Sequence, residues 1–190
     1  ESFRQGTLPT SEVFDVPKTA KLFALSDLLG YHHMLFYTNM RFYYNTVTGL
    51  IEPIGFDNQN IELLSPSNLL VGSGRSIASS QRGETLTPWL DLFFQDESFY
   101  RAYLHALDEV SQASFVDDFF ASVGDEAEQQ LRILHKTYPW YAFDKEQIIQ
   151  MNREYIRVSL EPLQGVQAYV SSLDASQRRF TLDIGNNHAL

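Results

Sequence analysis

The feature that most constrains this chain is the stretch of residues 39–57, Asn39-Met-Arg-Phe-Tyr-Tyr-Asn-Thr-Val-Thr-Gly-Leu-Ile-Glu-Pro-Ile-Gly-Phe-Asp57. Residues 40–45 are rich in aromatic side chains and favour a strand. Residues 46–49 end in glycine and favour a turn, and residues 50–56 favour a returning strand. The pattern therefore predicts a β-hairpin over residues 40–56.

Asn39 and Asp57 stand at the two ends of this hairpin, at equal distances from Thr48. We expect them to face each other at its open end, because opposed residues in an antiparallel pair have Cβ atoms about 5 Å apart. An amide oxygen and a carboxylate at that separation can hold one hard cation, since Mg²⁺ takes oxygen ligands at about 2.1 Å. Protein kinases hold the Mg²⁺ of ATP with an Asn and a later Asp. The residues alone leave a second interpretation open, in which both side chains only cap turns.

Several short segments of the sequence, taken together, resemble a known family. They are Leu25-Ser-Asp-Leu-Leu-Gly30, His33, Asn39-Met-Arg-Phe-Tyr-Tyr-Asn45 and Thr48-Gly-Leu-Ile-Glu-Pro-Ile-Gly-Phe-Asp57. This part of the chain, about residues 14–60, looks like the CotH family, the spore-coat-protein-H-like kinases of bacteria. The resemblance implies an atypical protein-kinase-like C-terminal lobe with a metal-site β-hairpin. It also implies that Asn39 and Asp57 bind Mg²⁺ or Mn²⁺ with ATP, and that protein hydroxyls accept the phosphate.

The chain departs from the family pattern beside Asn39. Many members have His directly before this Asn, where Thr38 stands here, and members with a clear catalytic Asp carry it a few residues upstream. The nearest upstream carboxylate is Asp27, within a predicted helix. Asp27 and His33 are therefore the candidates for the general base, with His32 as a further one. His32 and His33 have a second interpretation as packing or helix-capping residues.

Periodicity predicts an α+β fold that is mostly helical, with helices over about residues 17–30, 96–112, 114–135 and 144–161. Asp15 and Pro17 begin the first, Asp96 the second, Ser114 the third and Asp144 the fourth. Gly124 is a possible break in the third. The predicted apolar faces are Phe99, Tyr103, Leu107 and Val110; Phe115, Phe119, Leu131 and Leu134; and Ile148, Met151, Tyr155 and Ser159.

The remaining segments complete the predicted organisation. Residues 1–13 form a flexible polar arm, residues 14–163 the kinase-like lobe, and residues 65–88 a Ser/Gly-rich connection inside it. Alternation predicts a terminal hairpin near residues 166–185, and residues 164–190 are either that hairpin or the start of a following domain. Gly72-Ser-Gly74-Arg-Ser lacks the Gly-Lys-Ser/Thr ending of a phosphate-binding loop and favours a linker.

Composition excludes several function classes. The chain has 190 residues, 44% of them hydrophobic, which is enough for a core and argues against disorder. A net charge of −10 and the absence of a basic stripe argue against nucleic-acid binding. No apolar run is long enough to span a membrane. The lack of cysteine excludes disulfides and thiolate metal sites.

Two function classes remain. In the first, the chain is the C-terminal lobe of a CotH-type kinase, and a nucleotide-gripping lobe precedes it. Glu1 in place of a Met agrees with a fragment, and Lys18 and Lys21 lie in a helical pattern instead of on the strand where kinases place their phosphate-binding Lys. In the second, the chain is a non-catalytic, pseudokinase-like module that binds a partner. The resemblance implies a bacterial protein of the cell envelope or the extracellular space in both cases.

Overall fold

The computed structural model describes residues 2–58, 60–64, 89–161, 166–174 and 179–186. The described helices are α1 (Thr10–Val13), α2 (Val16–Leu28), α3 (Trp89–Phe94), α4 (Glu97–Val110), α5 (Ala113–Leu134) and α6 (Lys145–Leu160), with a 3₁₀ turn over His33–Leu35. The strands are β1 (Arg41–Asn45), β2 (Leu50–Ile54), β3 (Val166–Asp174) and β4 (Arg179–Asn186). They form two separate antiparallel hairpins, β1–β2 and β3–β4. The prediction of a mostly helical α+β fold is confirmed.

Helix α2 begins and ends where its sequence signals place it. The Asp15 carboxylate accepts a hydrogen bond from the Lys18 backbone N–H at 3.1 Å, and Pro17 occupies the first turn, where its missing N–H costs nothing. At the other end Gly30 has a φ of +63°, and the N–H groups of Gly30 and Tyr31 return to the carbonyls of Asp27 and Ser26. This is the Schellman motif, and it turns the chain sharply toward the His33 segment.

The core lies between α2 and α4 and is filled by aromatic rings. Phe23, Phe93 and Phe99 have no exposed surface and pack against one another with ring centroids 5.2–5.5 Å apart. Edge and tilted contacts of this kind add to the free energy gained by removing the rings from water. The face predicted for α4 is confirmed, since Phe99, Tyr103, Leu107 and Val110 are all buried.

The amino-terminal segment differs from the flexible arm predicted over residues 1–13. Phe3 is buried, and its ring lies 4.9 Å from that of Phe14 and 5.0 Å from that of Phe93. The Thr10 hydroxyl, also buried, donates to the Phe93 carbonyl at 3.3 Å. One aromatic side chain in a polar stretch is enough to attach the segment, because burial of a Phe contributes about 1.5–3 kcal/mol.

Helix α6 turns a different face to the core from the one predicted, and α5 buries less of its surface than predicted. In α6 the buried residues are Ile149, Asn152 and Ile156, one position along from the predicted set, and Met151 is about half exposed. The prediction missed this face because the face contains the polar Asn152, and a search for apolar periodicity leaves polar residues out. In α5 only Val116 is buried among the described residues, and Phe119 is half exposed.

The predicted helix boundaries agree within one or two residues. Helix α5 starts at Ala113 with Gln112 as its N-cap, so the predicted opening at Ser114 is one residue late, and it continues without a break through Gly124. Asp144 is the N-cap of α6, although its side chain makes no capping hydrogen bond. The terminal hairpin is confirmed as β3–β4. The predicted connection over residues 65–88 lies outside the described residues.

Candidate functional site

The β1–β2 hairpin forms as predicted, but its register differs from the predicted one. Asn45 pairs with Leu50 and Arg41 with Ile54, so the ladder is centred between Val47 and Thr48 instead of on Thr48. A four-residue turn sets this register: the Gly49 N–H donates to the Asn45 carbonyl at 2.8 Å, and Gly49 has a φ of +73°. Continued outward, the register places Phe56 opposite Asn39, so the predicted direct pairing of Asn39 with Asp57 is wrong by one residue.

The hairpin is attached to α2 by backbone and charged contacts. The Asp15 N–H donates to the Ile51 carbonyl at 2.9 Å, and the Lys18 ammonium lies 2.8 Å from the Glu52 carboxylate. The Asn45 amide also donates to Glu52, at 2.7 Å. These contacts lower the pKa of Glu52, first through the Asn45 hydrogen bond and then through Lys18, and the hydrogen bond to Glu52 raises the pKa of Lys18. The hairpin is thereby held at the amino-terminal end of the helix.

His33 brings Asn39 and Asp57 together. Its Nδ1 lies 3.2 Å from the Asp57 carboxylate oxygen Oδ2 and 3.0 Å from the Asn39 amide nitrogen. The Asn39 amide also donates to the His33 carbonyl at 3.2 Å. The three residues come from the 3₁₀ turn, the residue pair before β1 and the segment after β2. They form one polar cluster, which we call the His33 cluster, and its His33 and Asp57 side chains are 36% and 21% exposed.

The backbone of Asp57 explains how its carboxylate reaches His33 despite the register. Asp57 has a φ of 57°, and it is the single non-glycine residue with positive φ in the described part of the chain. Asp tolerates this left-handed conformation better than most residues, although it still carries a conformational cost. A left-handed residue three positions after the end of β2 turns the chain and redirects the side chain, so the cluster depends on this backbone conformation.

Aromatic rings and an arginine support the cluster. The Tyr31 ring stacks on His33 with centroids 5.6 Å apart, and Phe36 meets the imidazole edge-on at 5.1 Å. The Arg41 guanidinium donates to the Thr38 carbonyl at 2.7 Å and lies 4.9 Å from the centre of the Phe56 ring. Arg41 thus connects the segment before β1, which contains Asn39, with the segment after β2, which contains Asp57.

Asp27, a candidate general base, lies in a separate buried network. It has no exposed surface, one of its carboxylate oxygens lies 2.7 Å from Nε2 of His32, and the other accepts from the Tyr103 hydroxyl. Tyr103 is fully buried and His32 is 9% exposed. A base has to reach the proton that it removes. With both oxygens in hydrogen bonds and no solvent contact, Asp27 has the environment of a structural residue.

Asn152 of α6 attaches the segment that follows Asp57. It is fully buried, and its amide donates to the carbonyls of Leu28 and Glu62 at 2.9 and 2.8 Å. Its oxygen accepts from the Leu64 N–H at 2.7 Å. One side chain therefore satisfies three backbone groups and holds residues 62–64 against the end of α2. Sequence reasoning missed Asn152 and the partnership of Tyr103 with Asp27, and a polar residue between Ile149 and Ile156 is the one local signal for the former.

The two lysines upstream of the cluster both have partners. Lys18 pairs with Asp15 and Glu52, and the Lys21 ammonium lies 2.6 Å from the Glu109 carboxylate. The prediction that neither lies on a strand is confirmed, because both belong to α2. Neither is placed as the phosphate-binding Lys of a kinase.

The side chains of the His33 cluster include oxygen ligands of the kind that bind a divalent cation weakly. Asp57 offers a carboxylate and Asn39 an amide oxygen, and Mg²⁺ commonly combines one or two such groups with water and phosphate oxygens. No group of three His, Cys, Asp or Glu side chains suited to a metal occurs among the described residues. A cation here would accordingly depend on Asp57, Asn39 and external ligands.

Comparison of the chain with protein-family models, with curated proteins and with solved structures finds no match. Within the described ranges, no helix has both the length and the apolar character needed to cross a lipid bilayer.

Proposed function

We propose that this chain is the metal-binding, C-terminal lobe of a CotH-type atypical protein kinase, which transfers phosphate from ATP to protein hydroxyls. The observation that carries the proposal is the convergence of His33, Asn39 and Asp57. A residue before the first strand and another after the second are brought to one imidazole, although the hairpin register alone would separate them. The resemblance of residues 14–60 to the family gives these positions their proposed roles.

In this proposal Asn39 and Asp57 hold Mg²⁺ or Mn²⁺ through their side-chain oxygens. The metal, when bound, neutralises the charge that develops on the transferred phosphoryl group. Asp57 is suited to the role because its carboxylate is partly exposed and its left-handed backbone fixes its direction. Asn39 is suited because its amide nitrogen contacts the same ring as that carboxylate, and its side-chain oxygen is the atom that would bind the metal.

We assign the general-base role to His33 in preference to Asp27. The His33 ring is about one-third exposed and touches both proposed ligands, whereas Asp27 is sealed in the core. The acceptor hydroxyl gives its proton to an imidazole nitrogen as its oxygen attacks the γ-phosphorus of ATP, and the bond from that phosphorus to the bridging β-phosphate oxygen breaks to release ADP. Imidazole is a common proton acceptor near neutral pH.

The proposal also includes a partner lobe. Lys18 and Lys21 are engaged by carboxylates, and the net charge of −10 repels a triphosphate. Alignment of the reacting groups can account for about 7–11 kcal/mol of a barrier. A cationic clamp is therefore needed, and an amino-terminal nucleotide-binding lobe would supply it. By the same resemblance, we place the protein in the bacterial envelope or outside the cell.

A second candidate is a non-catalytic, pseudokinase-like binding module. Two observations favour it: Thr38 stands where many family members have His, and Asp27 is buried in a structural network. Such a module keeps the hairpin and its cluster as part of the fold and binds a partner through its acidic surface.

Nucleotide binding distinguishes the two candidates. A fluorescent ATP analogue is titrated with the chain in Mn²⁺ and in EDTA, and [γ-³²P]ATP with a generic protein acceptor measures transfer. We expect weak binding that requires Mn²⁺ and is lost in Asn39→Ala and Asp57→Ala, with no turnover by this chain alone. Asp118→Ala, which removes an exposed carboxylate of α5, is the control. Binding that is absent, or identical in all variants and without metal, would favour the non-catalytic module.

A further inference from the structure

The turn between α5 and α6, residues 135–143, lies away from the core. None of residues 121–147 is buried, and the nearest core residues along the chain are Phe120 on one side and Ile149 on the other. The turn is nevertheless ordered by its own hydrogen bonds. The Tyr141 N–H donates to the Tyr138 carbonyl at 3.1 Å, and Nε2 of His135 lies 2.9 Å from the Tyr141 carbonyl oxygen. We call this turn the aromatic tip.

The aromatic tip exposes large side chains of a kind that proteins usually bury. Trp140 is 79% exposed, although tryptophan is on average one of the more buried residues. The other exposed rings of the tip are Tyr138, Tyr141 and Phe143, so four aromatic residues occur within six consecutive positions. Exposed apolar surface that is concentrated in this way marks a site of contact with another protein or with a membrane.

The charge of this part of the chain is opposite to that of the whole. The net charge of the chain is −10, whereas residues 129–143 contain Arg132 and Lys136 and no Asp or Glu. The acidic residues that flank this segment, Glu128 and Asp144, lie 3.1 and 3.9 Å from the charged group of a neighbouring cation. Exposed charges more than about 8–10 Å away are largely screened at physiological salt. The tip can therefore approach an anionic surface that repels the rest of the chain.

We infer that the aromatic tip is a docking site for a phospholipid bilayer. Trp and Tyr favour the membrane–water interface, because the ring reaches the apolar region while its N–H or O–H group stays among the headgroups. The Lys136 ammonium is placed to contact a lipid phosphate, as basic residues beside an apolar surface do. Tyr138 and Trp140 do not form a flat surface for stacking a sugar, since their rings meet at 85°. The inference does not depend on the metal proposal.

Sedimentation of the full chain with vesicles of phosphatidylcholine and phosphatidylglycerol tests this inference. We expect the native chain to bind, and Trp140→Ala to weaken the partition coefficient about tenfold, because one large ring no longer leaves water. Lys136→Gln should weaken it about fivefold through the loss of one cation at the surface. Tyr44→Ala, which removes a 59% exposed ring from the β1–β2 hairpin, is the matched control and should leave the partition coefficient unchanged. Circular dichroism checks that each variant keeps the native fold.

Fluorescence quenching by lipids with brominated acyl chains locates the contact. The chain has two tryptophans, Trp89 and Trp140, and we expect the bromines to quench the native chain. Trp140→Phe keeps a ring at the tip, so it should still bind the vesicles but lose the quenching.

The inference is overturned if the native chain does not sediment with the vesicles, or if quenching persists in Trp140→Phe. It is also overturned if Tyr44→Ala weakens binding as much as Trp140→Ala does. Self-association of the chain that depends on Trp140, without vesicle binding, would instead make the tip an interface between copies of this chain.

Discussion

At the scale of single residues, the polar side chains between residues 27 and 57 lie in two different environments, which the sequence alone does not distinguish. Asp27 and His32 lie in a buried network with Tyr103, whereas His33 meets Asn39 and Asp57 at the surface. Adjacent histidines thus have separate environments because the 3₁₀ turn directs their rings differently. We expect substitutions in the buried network to change stability and substitutions in the His33 cluster to change ligand binding.

Tyr103→Phe tests the structural role of the buried network. It removes the hydroxyl that donates to Asp27 and leaves a buried carboxylate oxygen with one donor fewer. We expect the free energy of unfolding in urea to fall by about 1–3 kcal/mol. Tyr100→Phe, on the same helix but with an exposed ring, is the control and should change it by less than about 0.5 kcal/mol. Equal effects of the two substitutions would contradict the network.

At the scale of elements, helix ends position the site more than helix interiors do. The Schellman end of α2 turns the chain toward His33, and Asn152 of α6 holds the segment of residues 62–64 against that end. Helix α4 is capped by Asp96, which also accepts from the Ser11 N–H of α1 at 2.7 Å.

Gly30→Ala should disrupt the end of α2. Gly30 has a φ of +63°, and a Cβ there would overlap the Glu62 carbonyl. We expect a loss of more than about 3 kcal/mol in the free energy of unfolding, because both the backbone conformation and the packing oppose the side chain. Gly124→Ala is the matched control: it lies inside α5 with open space around it, and should stabilise the protein by about 0.5–1 kcal/mol. Similar effects at the two positions would contradict the described turn.

Asp96→Asn tests the junction of α1 with α4 through pH. Burial raises the pKa of Asp96, but hydrogen bonds from Ser11, Ser98 and Phe99 outweigh this and hold it below the usual value. Its stabilising effect is therefore full above the pKa of an unfolded Asp, about 3.9, and is lost as pH falls through the lower folded pKa. We expect Asn to cost roughly 0.3–1 kcal/mol at pH 7, because it removes the negative charge at the amino terminus of α4, and progressively less below pH 4 in thermal unfolding. A difference that stays constant with pH would contradict this assignment.

At the scale of the whole molecule, local signals predict the elements, and long-range contacts decide the site. Asp15, Pro17 and Gly30 mark α2, and the aromatic run with Gly49 marks the hairpin, because caps and turns act over a few residues. The burial of Asp27 depends on Tyr103, 76 positions away, and the face of α6 depends on contacts of Asn152 with Leu28 and Glu62. No local pattern contains such information. The predicted hairpin register is wrong by one residue for a local reason, the four-residue turn. The left-handed backbone of Asp57 compensates for this one-residue shift and brings the carboxylate to His33.

In the proposed metal site, Asn39 and Asp57 hold a divalent cation beside His33. Mn²⁺ is paramagnetic and broadens the NMR signals of nuclei close to it, so histidine ring signals report where it binds. The signals are followed during a Mn²⁺ titration of the native chain, with His33→Gln to assign the ring. Asp118→Ala serves as the control for loss of an exposed carboxylate.

We predict that the His33 signal broadens first, at Mn²⁺ concentrations that leave the exposed His105 and His135 rings sharp. The selective broadening should disappear in Asp57→Ala, weaken in Asn39→Ala and persist in Asp118→Ala. Equal broadening of all the rings, or selective broadening of His33 that survives Asp57→Ala, would contradict the metal site.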